Sequence, residues 1–264
     1  MKIATTIKEV RKQVVDWKRE GLTVGLVPTM GALHEGHASL VDAAKEQCDR
    51  VVTSVFVNPT QFAAGEDLDA YPRDFDRDCG ILEAHGCDLV FHPSVEEMYP
   101  EGAATFVELR SDMTKQLCGK SRPEHFCGVC TVVSKLFHIA MPDKAFFGEK
   151  DAQQLAVIRQ MTRDLLFGIE IVGCPTKREE DGLAKSSRNV YLDAEERKAA
   201  GILYQAICKA QEYLKEHLDT EDGKTESQSV TELIKDIIGT EPLAEIDYVD
   251  AVDGMSLLPA DRIG

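Results

Sequence analysis

The chain has 264 residues, of which 43% are apolar, and a formal net charge of −16 at pH 7. This length is enough for one large domain or two moderate ones. The acidic balance argues against a nucleic-acid groove, because phosphate backbones recruit patches of Lys and Arg, but it allows a local basic pocket for a small anion. The polar start and the lack of an apolar run of about 20 residues predict no secretory signal and no membrane span. Eight scattered cysteines fit a reducing cytoplasm.

Short apolar runs alternate with helical patterns through the first two thirds of the chain. Apolar spacing first predicts a helix over 7–20. Strands are predicted at 23–28, 50–57, 88–92, 144–147 and 169–173. Helices are predicted at 37–47, 73–85, 127–140 and 151–165. This alternation favours an α/β fold with a Rossmann-like parallel sheet covered on both faces, which binds ligands at the carboxyl ends of its strands.

The pattern changes after Pro175, where we expect a second, smaller α+β domain. A long amphipathic helix is predicted over 194–216, followed by a polar loop at 219–229 and a shorter helix at 230–238. Alternating apolar residues predict a half-exposed strand over 244–252.

The most informative segment is the turn Pro-Thr-Met-Gly-Ala-Leu-His-Glu-Gly-His at 28–37. It lies between a predicted strand and a predicted helix, so exposed backbone N–H groups and the helix dipole favour a phosphate there. His34 and His37 share one face of the first helical turn. We expect both to donate hydrogen bonds to the same phosphate.

Two further strand ends carry polar side chains. Asn58 and Gln61 are amides suited to the hydroxyls and carboxylate of a small substrate, with ordinary turn chemistry as the alternative. After the strand at 144–147, Lys150 begins a helix, where a cation is unfavourable to the dipole unless a phosphate is bound. Gln154 lies one turn further on, and a solvated lysine is the alternative for Lys150. Their position beside the histidine turn favours a binding site.

A possible polyphosphate clamp lies near the domain boundary. Lys185, Ser186, Ser187 and Arg188 place two hydroxyls between two cations, and a basic loop with a Ser cap is the alternative. Arg122 lies in a loop that we expect to close over the site.

Two other patterns favour a structural interpretation. The acidic run at 66–78 is typical of a solvated helix face, with a magnesium site as the alternative. Cys127 and Cys130 have redox or zinc spacing, but no second close pair follows and no strand directly precedes them. The metal ligands therefore stay unknown.

The anion-binding elements together suit ATP that is cleaved in line, and no Gly-x-x-x-x-Gly-Lys-Ser/Thr loop is present. The His-x-x-His turn and the Lys-Ser-Ser-Arg loop resemble the His-Gly-His-type and Lys-Met-Ser-Lys-Ser-type signatures of nucleotidyl-transferring synthetases. More closely, the chain resembles the pantothenate synthetase family, the pantoate–β-alanine ligases. The matching segments, in family order, are 28–37, 55–62, 71–73, 122–126, 147–151 and 181–189.

The resemblance implies an ATP- and pantoate-binding nucleotidyl-transferase domain at 1–174 and a lid domain at 175–264 that lacks the family's last strand. It implies an AMP-forming acid–amine ligase of coenzyme A synthesis that condenses (R)-pantoate with β-alanine through a pantoyl adenylate. It also implies Mg²⁺ and a homodimer.

Residue roles follow from the same resemblance. The catalytic residues would be His34, His37, Lys150 and Arg188, with His37 at the position usually assigned as proton donor, although stabilising charge on the transferring phosphate suits its chemistry better. The ATP-binding residues would be Met30, Gly31, Ala32, Leu33, His34, Glu35, Gly36, His37, Gly148, Glu149, Lys150, Asp151, Lys177, Lys185, Ser186, Ser187 and Arg188. The substrate-binding residues would be Asn58, Gln61, Arg122 and Gln154.

The chain departs from the family pattern at two positions, and three other functions are alternatives. Many relatives carry Met or Leu in place of Lys185, and Arg77 interrupts the acidic run before Asp78. The alternatives are a nucleotidyltransferase that makes a dinucleotide or activated headgroup, a nucleotide-binding regulator without catalysis, and a zinc hydrolase. The last is disfavoured because His-Glu-Gly-His is one residue short of the His-Glu-x-x-His spacing.

Overall fold

A computed structural model describes residues 1–63, 65–217 and 225–263 of the chain. These residues cluster into two units, Met1–Lys177 and Arg178–Gly264. The sequence places the boundary slightly earlier, after residue 174.

The first unit contains a parallel sheet with helices between its strands, so the expected α/β class is confirmed. Its strands are β1 (Lys2–Ala4), β2 (Val24–Thr29), β3 (Arg50–Val55), β4 (Leu89–Phe91), β5 (Lys144–Gly148) and β6 (Glu170–Cys174). Its helices are α1 (Ile7–Arg19), α2 (Glu35–Gln47), α3 (Phe75–Ala84), α4 (Val95–Met98), α5 (Cys118–Ser121), α6 (His125–Ala140) and α7 (Ala152–Asp164). The strand order is β1-β4-β3-β2-β5-β6, and every pair is parallel.

The central strands are buried along almost their whole length, as continuous apolar runs predict. Helices contribute apolar faces to the core, as in α1, where Val10, Val14 and Trp17 are buried. A capping box between Thr6 and Glu9 begins this helix. The strand β1 was not predicted, because three residues are too short to show a periodicity.

The connections reverse direction at β2. From β2 the chain proceeds to its neighbour β3 and then to β4, and it later returns to add β5 on the other side of β2. Connections that diverge in this way open a crevice at the carboxyl ends of the two central strands, which is where ligands bind in such sheets. The turn after β2 and the segment after β5 therefore begin at the same crevice.

The second unit differs from its prediction in two places. It contains α8 (Ala194–Ala199), α9 (Ile202–His217), α10 (Ser227–Ile238) and the antiparallel pair β7 (Thr225–Glu226) and β8 (Arg262–Ile263). The single helix expected over 194–216 is wrong, since the chain breaks around Gly201 and glycine is a poor interior helix residue. The predicted loop at 219–229 falls partly outside the described residues, and its last three positions begin α10.

The strand expected over 244–252 is also wrong. Its backbone is irregular, with one bend at Asp247 and one isolated antiparallel bridge between Val252 and Pro259. Ile246 and Tyr248 are 37% and 41% exposed, so the alternating pattern buries no face. A period of two predicts a strand only where a partner strand is available, and that condition is not local.

Candidate active site

The turn that follows β2 has a left-handed backbone before it enters α2. The φ angle is 87° at Gly31 and 49° at Ala32, a region that glycine adopts without the strain other residues incur. A Cβ at Gly31 would lie 3.0 Å from Asp78 Oδ2 and 3.2 Å from Val55 Cγ1, so space also favours glycine. Leu33 is fully buried in the core cluster that includes β2, and it anchors the turn.

Asp78 on α3 holds this turn through two backbone groups. Its carboxylate accepts the N–H of Leu33 at 2.7 Å and that of Ala32 at 2.9 Å. The residue is 1% exposed, and burial raises the pKa of Asp78 while the two backbone N–H groups lower it. The expectation that the N–H groups of this turn face a phosphate is wrong at Ala32 and Leu33, because a protein carboxylate binds them. The solvated-face interpretation of the acidic run is wrong for Asp78.

The two histidines face each other with defined tautomers. His34 precedes α2 as its N-cap, and its Nδ1 accepts the N–H of Gly36 at 3.0 Å. His37 Nδ1 accepts the N–H of His34 at 3.3 Å, and the two ring centroids are 4.1 Å apart. A ring nitrogen that accepts carries no proton, so each neutral ring carries its proton on Nε2. In their neutral forms both rings therefore carry their N–H groups on Nε2, while the N–H of Gly36 is used internally.

Glycine at position 36 allows this arrangement. A Cβ there would lie 2.7 Å from His34 Cε1, so a larger residue would displace the ring. The same Cβ would lie 3.9 Å from Lys177 Cβ, which places the exposed Lys177 beside the start of α2.

His37 is electrically neutral near pH 7. Burial of the ring, with a smaller contribution from the positive charge of Lys150, lowers the pKa of His37 to about 3. A neutral imidazole donates a hydrogen bond from Nε2 without being a strong acid. Preorganised donors of this kind stabilise charge that develops on an oxygen. The geometry therefore suits electrostatic stabilisation better than proton donation.

The amides that follow β3 lie beside the histidine turn. Asn58 caps the 3₁₀ helix Pro59–Gln61, of which Gln61 is the last residue, and the two are 1% and 9% exposed. Asn58 Nδ2 donates to Gln61 Oε1 at 3.1 Å, and Gln61 Nε2 donates to Met30 Sδ at 2.9 Å. The structure thus joins the ends of β2 and β3 through side chains that the sequence singled out.

Arg122 lies at the end of the helical turn α5 and not in an open loop. Its Nε donates to Glu66 Oε1 at 2.6 Å, and its Nη2 donates to the carbonyl oxygen of Gln61 at 3.2 Å. His125 Nδ1 lies 2.9 Å from the same carbonyl oxygen. The Arg122 hydrogen bond lowers the pKa of Glu66. Arg122 is therefore paired with Glu66 and bound to the backbone that carries Gln61, and closure of its segment over the site stays a prediction.

The segment after β5 brings Lys150 to the crevice. Gly148 leads into the 3₁₀ helix Glu149–Asp151, and Lys150 Nζ lies 3.2 Å from Asp151 Oδ1 on a side chain that is 38% exposed. Lys150 is close enough for its charge to contribute to the lowered pKa of His37. Gln154 is half-buried in the first turn of α7.

The predicted polyphosphate clamp belongs to the second unit. Ser186 caps the 3₁₀ helix Ser187–Tyr191 by accepting the N–H of Arg188 at 3.3 Å, so the Ser-cap interpretation is confirmed at this position. Lys185 Nζ lies 2.9 Å from Glu179 Oε2, with the lysine side chain 16% exposed. A protein carboxylate therefore neutralises Lys185.

The metal and cysteine alternatives receive no support from the described residues. Within residues 1–63, 65–217 and 225–263, no group of three or more His, Cys, Asp or Glu side chains could hold a metal ion. Cys127 and Cys130 lie on α6, and burial raises the pKa of both thiols, that of Cys130 to about 12. Protonated thiols are poor ligands and nucleophiles, which agrees with structural cysteines.

Comparison with known proteins decides the family. A sequence model described as Pantoate-beta-alanine ligase matches residues 2–263. The chain belongs to the pantoate-beta-alanine ligase family. The pantothenate synthetase of Clostridium acetobutylicum is 53% identical over 263 residues, which span 100% of this chain and 91% of the relative. That of Enterococcus faecalis is 54% identical over 257 residues, with coverage of 97% and 89%.

Solved structures of the family have the same fold. The pantothenate synthetase of Thermus thermophilus superposes with a TM-score of 0.91 at 44% identity, covering 100% of this chain and 91% of that one. The pantoate-beta-alanine ligase of Francisella tularensis, complexed with beta-gamma ATP and beta-alanine, gives a TM-score of 0.75 at 37% identity, with coverage of 90% and 86%. The resemblance inferred from the motifs is confirmed, and the chain is a ligase by family.

The sequence did not predict the contacts that three side chains make with the site residues. Asp78 is one of several acids in its segment, and nothing local distinguishes the buried one. Tyr99 donates to Asn58 Oδ1 at 2.9 Å, and His125 contacts Gln61. His125 lies in a segment that matches the family, which was the available signal.

None of the helices in the described part of the chain combines the length and apolar character that a membrane crossing needs.

Proposed function

We propose that this protein catalyses the ATP-dependent condensation of (R)-pantoate with β-alanine. A carboxylate oxygen of pantoate attacks the α-phosphorus of ATP, and diphosphate leaves, which gives pantoyl adenylate. The amine of β-alanine then attacks the acyl carbon, loses a proton, and displaces AMP to give pantothenate. The observation that carries the proposal is that, in a member of this family, Gln61 after β3 donates to Met30 in the turn that carries both histidines, so the two strand ends meet through these side chains.

The phosphate-facing groups have distinct roles in this proposal. His34 and His37 donate from Nε2 to phosphate oxygens, and Lys150 adds a positive charge at the α-phosphate. Because His37 is neutral, it stabilises the charge of the pentacoordinate transition state and does not deliver a proton to it. A bound phosphate raises the pKa of His37 again, since an anion favours the protonated ring.

The remaining predicted residues divide between the nucleotide and the acid. Asn58, Gln61 and Gln154 hold pantoate, with Gln61 also beside β-alanine, and Arg122 acts through the backbone of Gln61. These groups belong to the first unit, and in this proposal Arg188 binds the leaving diphosphate. Nucleotide contacts come from the residues 30–37, 148–151, 177 and 185–188.

Magnesium would accompany ATP and not occupy a protein cage. The carboxylate of Asp78, which lies in the acidic run considered for magnesium, is bound to two backbone N–H groups. The described residues contain no three-ligand cluster. Mg²⁺ commonly keeps several waters and binds substrate phosphates, which fits this arrangement.

We also propose a cytoplasmic homodimer, for which light scattering should return twice the mass of the chain.

The reaction can be tested in two stages. Purified protein is incubated with ATP, Mg²⁺, pantoate and β-alanine, and AMP formation is followed with each component omitted in turn. Pantoate labelled with ¹⁸O in its carboxylate should transfer one labelled oxygen to AMP, because that oxygen bridges the adenylate. AMP formation that does not depend on pantoate would exclude the ligase reaction, and unlabelled AMP would exclude the adenylate.

Substitution of the phosphate-facing residues tests their roles. His37→Ala and Lys150→Ala should each lower kcat by about 10²-fold or more, as expected for lost transition-state donors. The matched controls are His138→Ala and Lys12→Ala, since both side chains are exposed on other helices. Folding of each variant is checked by circular dichroism. Normal turnover in a folded His37→Ala or Lys150→Ala variant would contradict the assigned role.

A further inference from the structure

A chain of hydrogen bonds runs from Tyr99 to the mouth of the candidate site. The Tyr99 hydroxyl donates to Asn58 Oδ1 at 2.9 Å. Asn58 Nδ2 donates to Gln61 Oε1 at 3.1 Å. Gln61 Nε2 then donates to Met30 Sδ at 2.9 Å. Three hydrogen bonds thus connect Tyr99 with the turn that follows β2.

The orientation of both amides follows from backbone groups. The N–H of Thr60 points to Asn58 Oδ1 at 3.4 Å, and the carbonyl oxygen of Gly128 lies 3.3 Å from Asn58 Nδ2. A backbone N–H can only donate and a backbone carbonyl can only accept, so the Asn58 amide has one allowed orientation. Its Nδ2 therefore faces Gln61, whose oxygen must be the partner. The Gln61 Nε2 group is consequently directed towards Met30.

The partner of Gln61 Nε2 is weak. A thioether sulfur is a poor acceptor, and Gln61 is 9% exposed, so a stronger acceptor at this position would gain a favourable hydrogen bond in a poorly solvated site. A carboxylate or hydroxyl oxygen of an acid substrate is such an acceptor. A group that presents only donors would meet a donor and lose affinity.

Tyr99 is well fixed for this role. Its hydroxyl also lies 3.2 Å from Thr60 Oγ1. The Lys135 Nζ lies 4.5 Å from the centre of the Tyr99 ring and donates to the carbonyl oxygen of Met98 at 2.7 Å. Burial raises the pKa of Tyr99, so the hydroxyl keeps its proton and remains a donor. Gly128 permits α6 to approach the backbone of Thr60 closely, because a Cβ there would lie 2.2 Å from the carbonyl oxygen of Thr60.

We propose that Tyr99 is a positioning residue that acts through Asn58 to hold the Gln61 amide with its N–H₂ group towards the acid substrate, and so selects an acid that presents an acceptor oxygen there. The inference rests on the proposed function for the identity of that acid. The hydrogen bond from Asn58 explains why Gln61 presents its N–H₂ group. Tyr99 acts on this group through Asn58 and does not itself touch the substrate.

Steady-state kinetics of Tyr99→Phe test the positioning role. Loss of one neutral hydrogen bond should raise the KM for pantoate about three- to tenfold while the KM for ATP stays within about twofold. The control is Tyr213→Phe, whose ring stacks on His217 in the second unit. Gln61→Glu, which keeps the shape but presents an acceptor, should raise the KM for pantoate at least about tenfold. An unchanged KM for pantoate in both variants, or an equal rise in both KM values for Tyr99→Phe, would overturn the proposal.

The amide orientation can be tested without catalysis. In NMR spectra of the wild-type protein, the Gln61 side-chain N–H₂ protons should show a nuclear Overhauser effect to the Met30 S-methyl group. The effect should weaken in Tyr99→Phe and persist in Tyr213→Phe. A wild-type protein that makes no pantoate-dependent AMP but shows this pattern would refute only the proposed function. An active enzyme whose Gln61 N–H₂ protons show no contact with Met30 would refute only the positioning by Tyr99.

Discussion

Replacement of Asp78 by Asn is a sharp test of how the histidine turn is held. The two oxygens of Asp78 accept hydrogen bonds of 2.7 Å and 2.9 Å, whereas Asn retains one oxygen and turns an N–H₂ group towards a backbone N–H. Loss of one hydrogen bond to a charged acceptor costs about 1.5–3 kcal/mol. Burial raises the pKa of Asp78, so removal of the charge recovers part of this cost. We expect a net loss of about 1–2 kcal/mol in the free energy of unfolding.

Thermal unfolding and steady-state kinetics measure the two consequences. A loss of this size lowers Tm by about 2–8 °C in a protein of this length. The turn carries His34 and His37, and a displacement of about 1 Å in catalytic groups can reduce turnover by up to about 10²-fold, so kcat should fall at least about tenfold. The matched control is Asp76→Asn, an exposed carboxylate in the first turn of the same helix. It should lose no more than about 1 kcal/mol.

The pH dependence of stability provides an independent check. A carboxyl whose pKa is raised on folding binds its proton more tightly in the folded state, so its contribution to stability is lost as pH rises through the raised pKa. The free energy of unfolding should therefore fall over that range with Asp78 and stay flatter with Asn. An Asp78→Asn variant with wild-type Tm, kcat and pH dependence would refute the assignment of Asp78 as the group that holds the turn.

Three further predictions concern other parts of the molecule. Because folding lowers the pKa of His37 from 6.5 to about 3, ¹⁵N NMR should find the ring neutral and protonated on Nε2 at pH 5. The stability that this group contributes should be lost as the pH falls from 6.5 towards 3. An imidazolium at pH 5 would contradict the burial argument. Gly128→Ala should lower the free energy of unfolding by at least about 2 kcal/mol in chemical denaturation, since its Cβ would lie 2.2 Å from a carbonyl oxygen. Gly80→Ala, which has open space on α3, should raise that free energy by up to about 1 kcal/mol, and equal effects of the two variants would refute the close-approach argument. Under the proposed function, Lys185→Met should raise the KM for ATP less than about threefold, because Glu179 neutralises the lysine. Arg188→Met should raise the KM for ATP more than about tenfold. A larger rise for Lys185→Met than for Arg188→Met would show that Lys185 binds phosphate.

The sequence alone determined the layout of the first unit. Buried parallel strands are continuous apolar runs, so β2, β3, β5 and β6 appear within one or two residues of their observed bounds. The carboxyl ends of such strands share one edge of the sheet, which is why the turn at 30–37, the amides after β3 and Lys150 could be expected together. Matching segments in order then indicated the family that the comparisons show.

Only the tertiary structure decided which groups of the site are available to a ligand. Asp78 reaches the N–H groups of Ala32 and Leu33 from 46 and 45 residues away, so two backbone donors that were expected to bind an anion are bound to a protein carboxylate. Local patterns record which residues are apolar and how they repeat, and these set helices and strands. They do not record which distant polar group satisfies a buried donor, because that partner is brought close only when the chain packs.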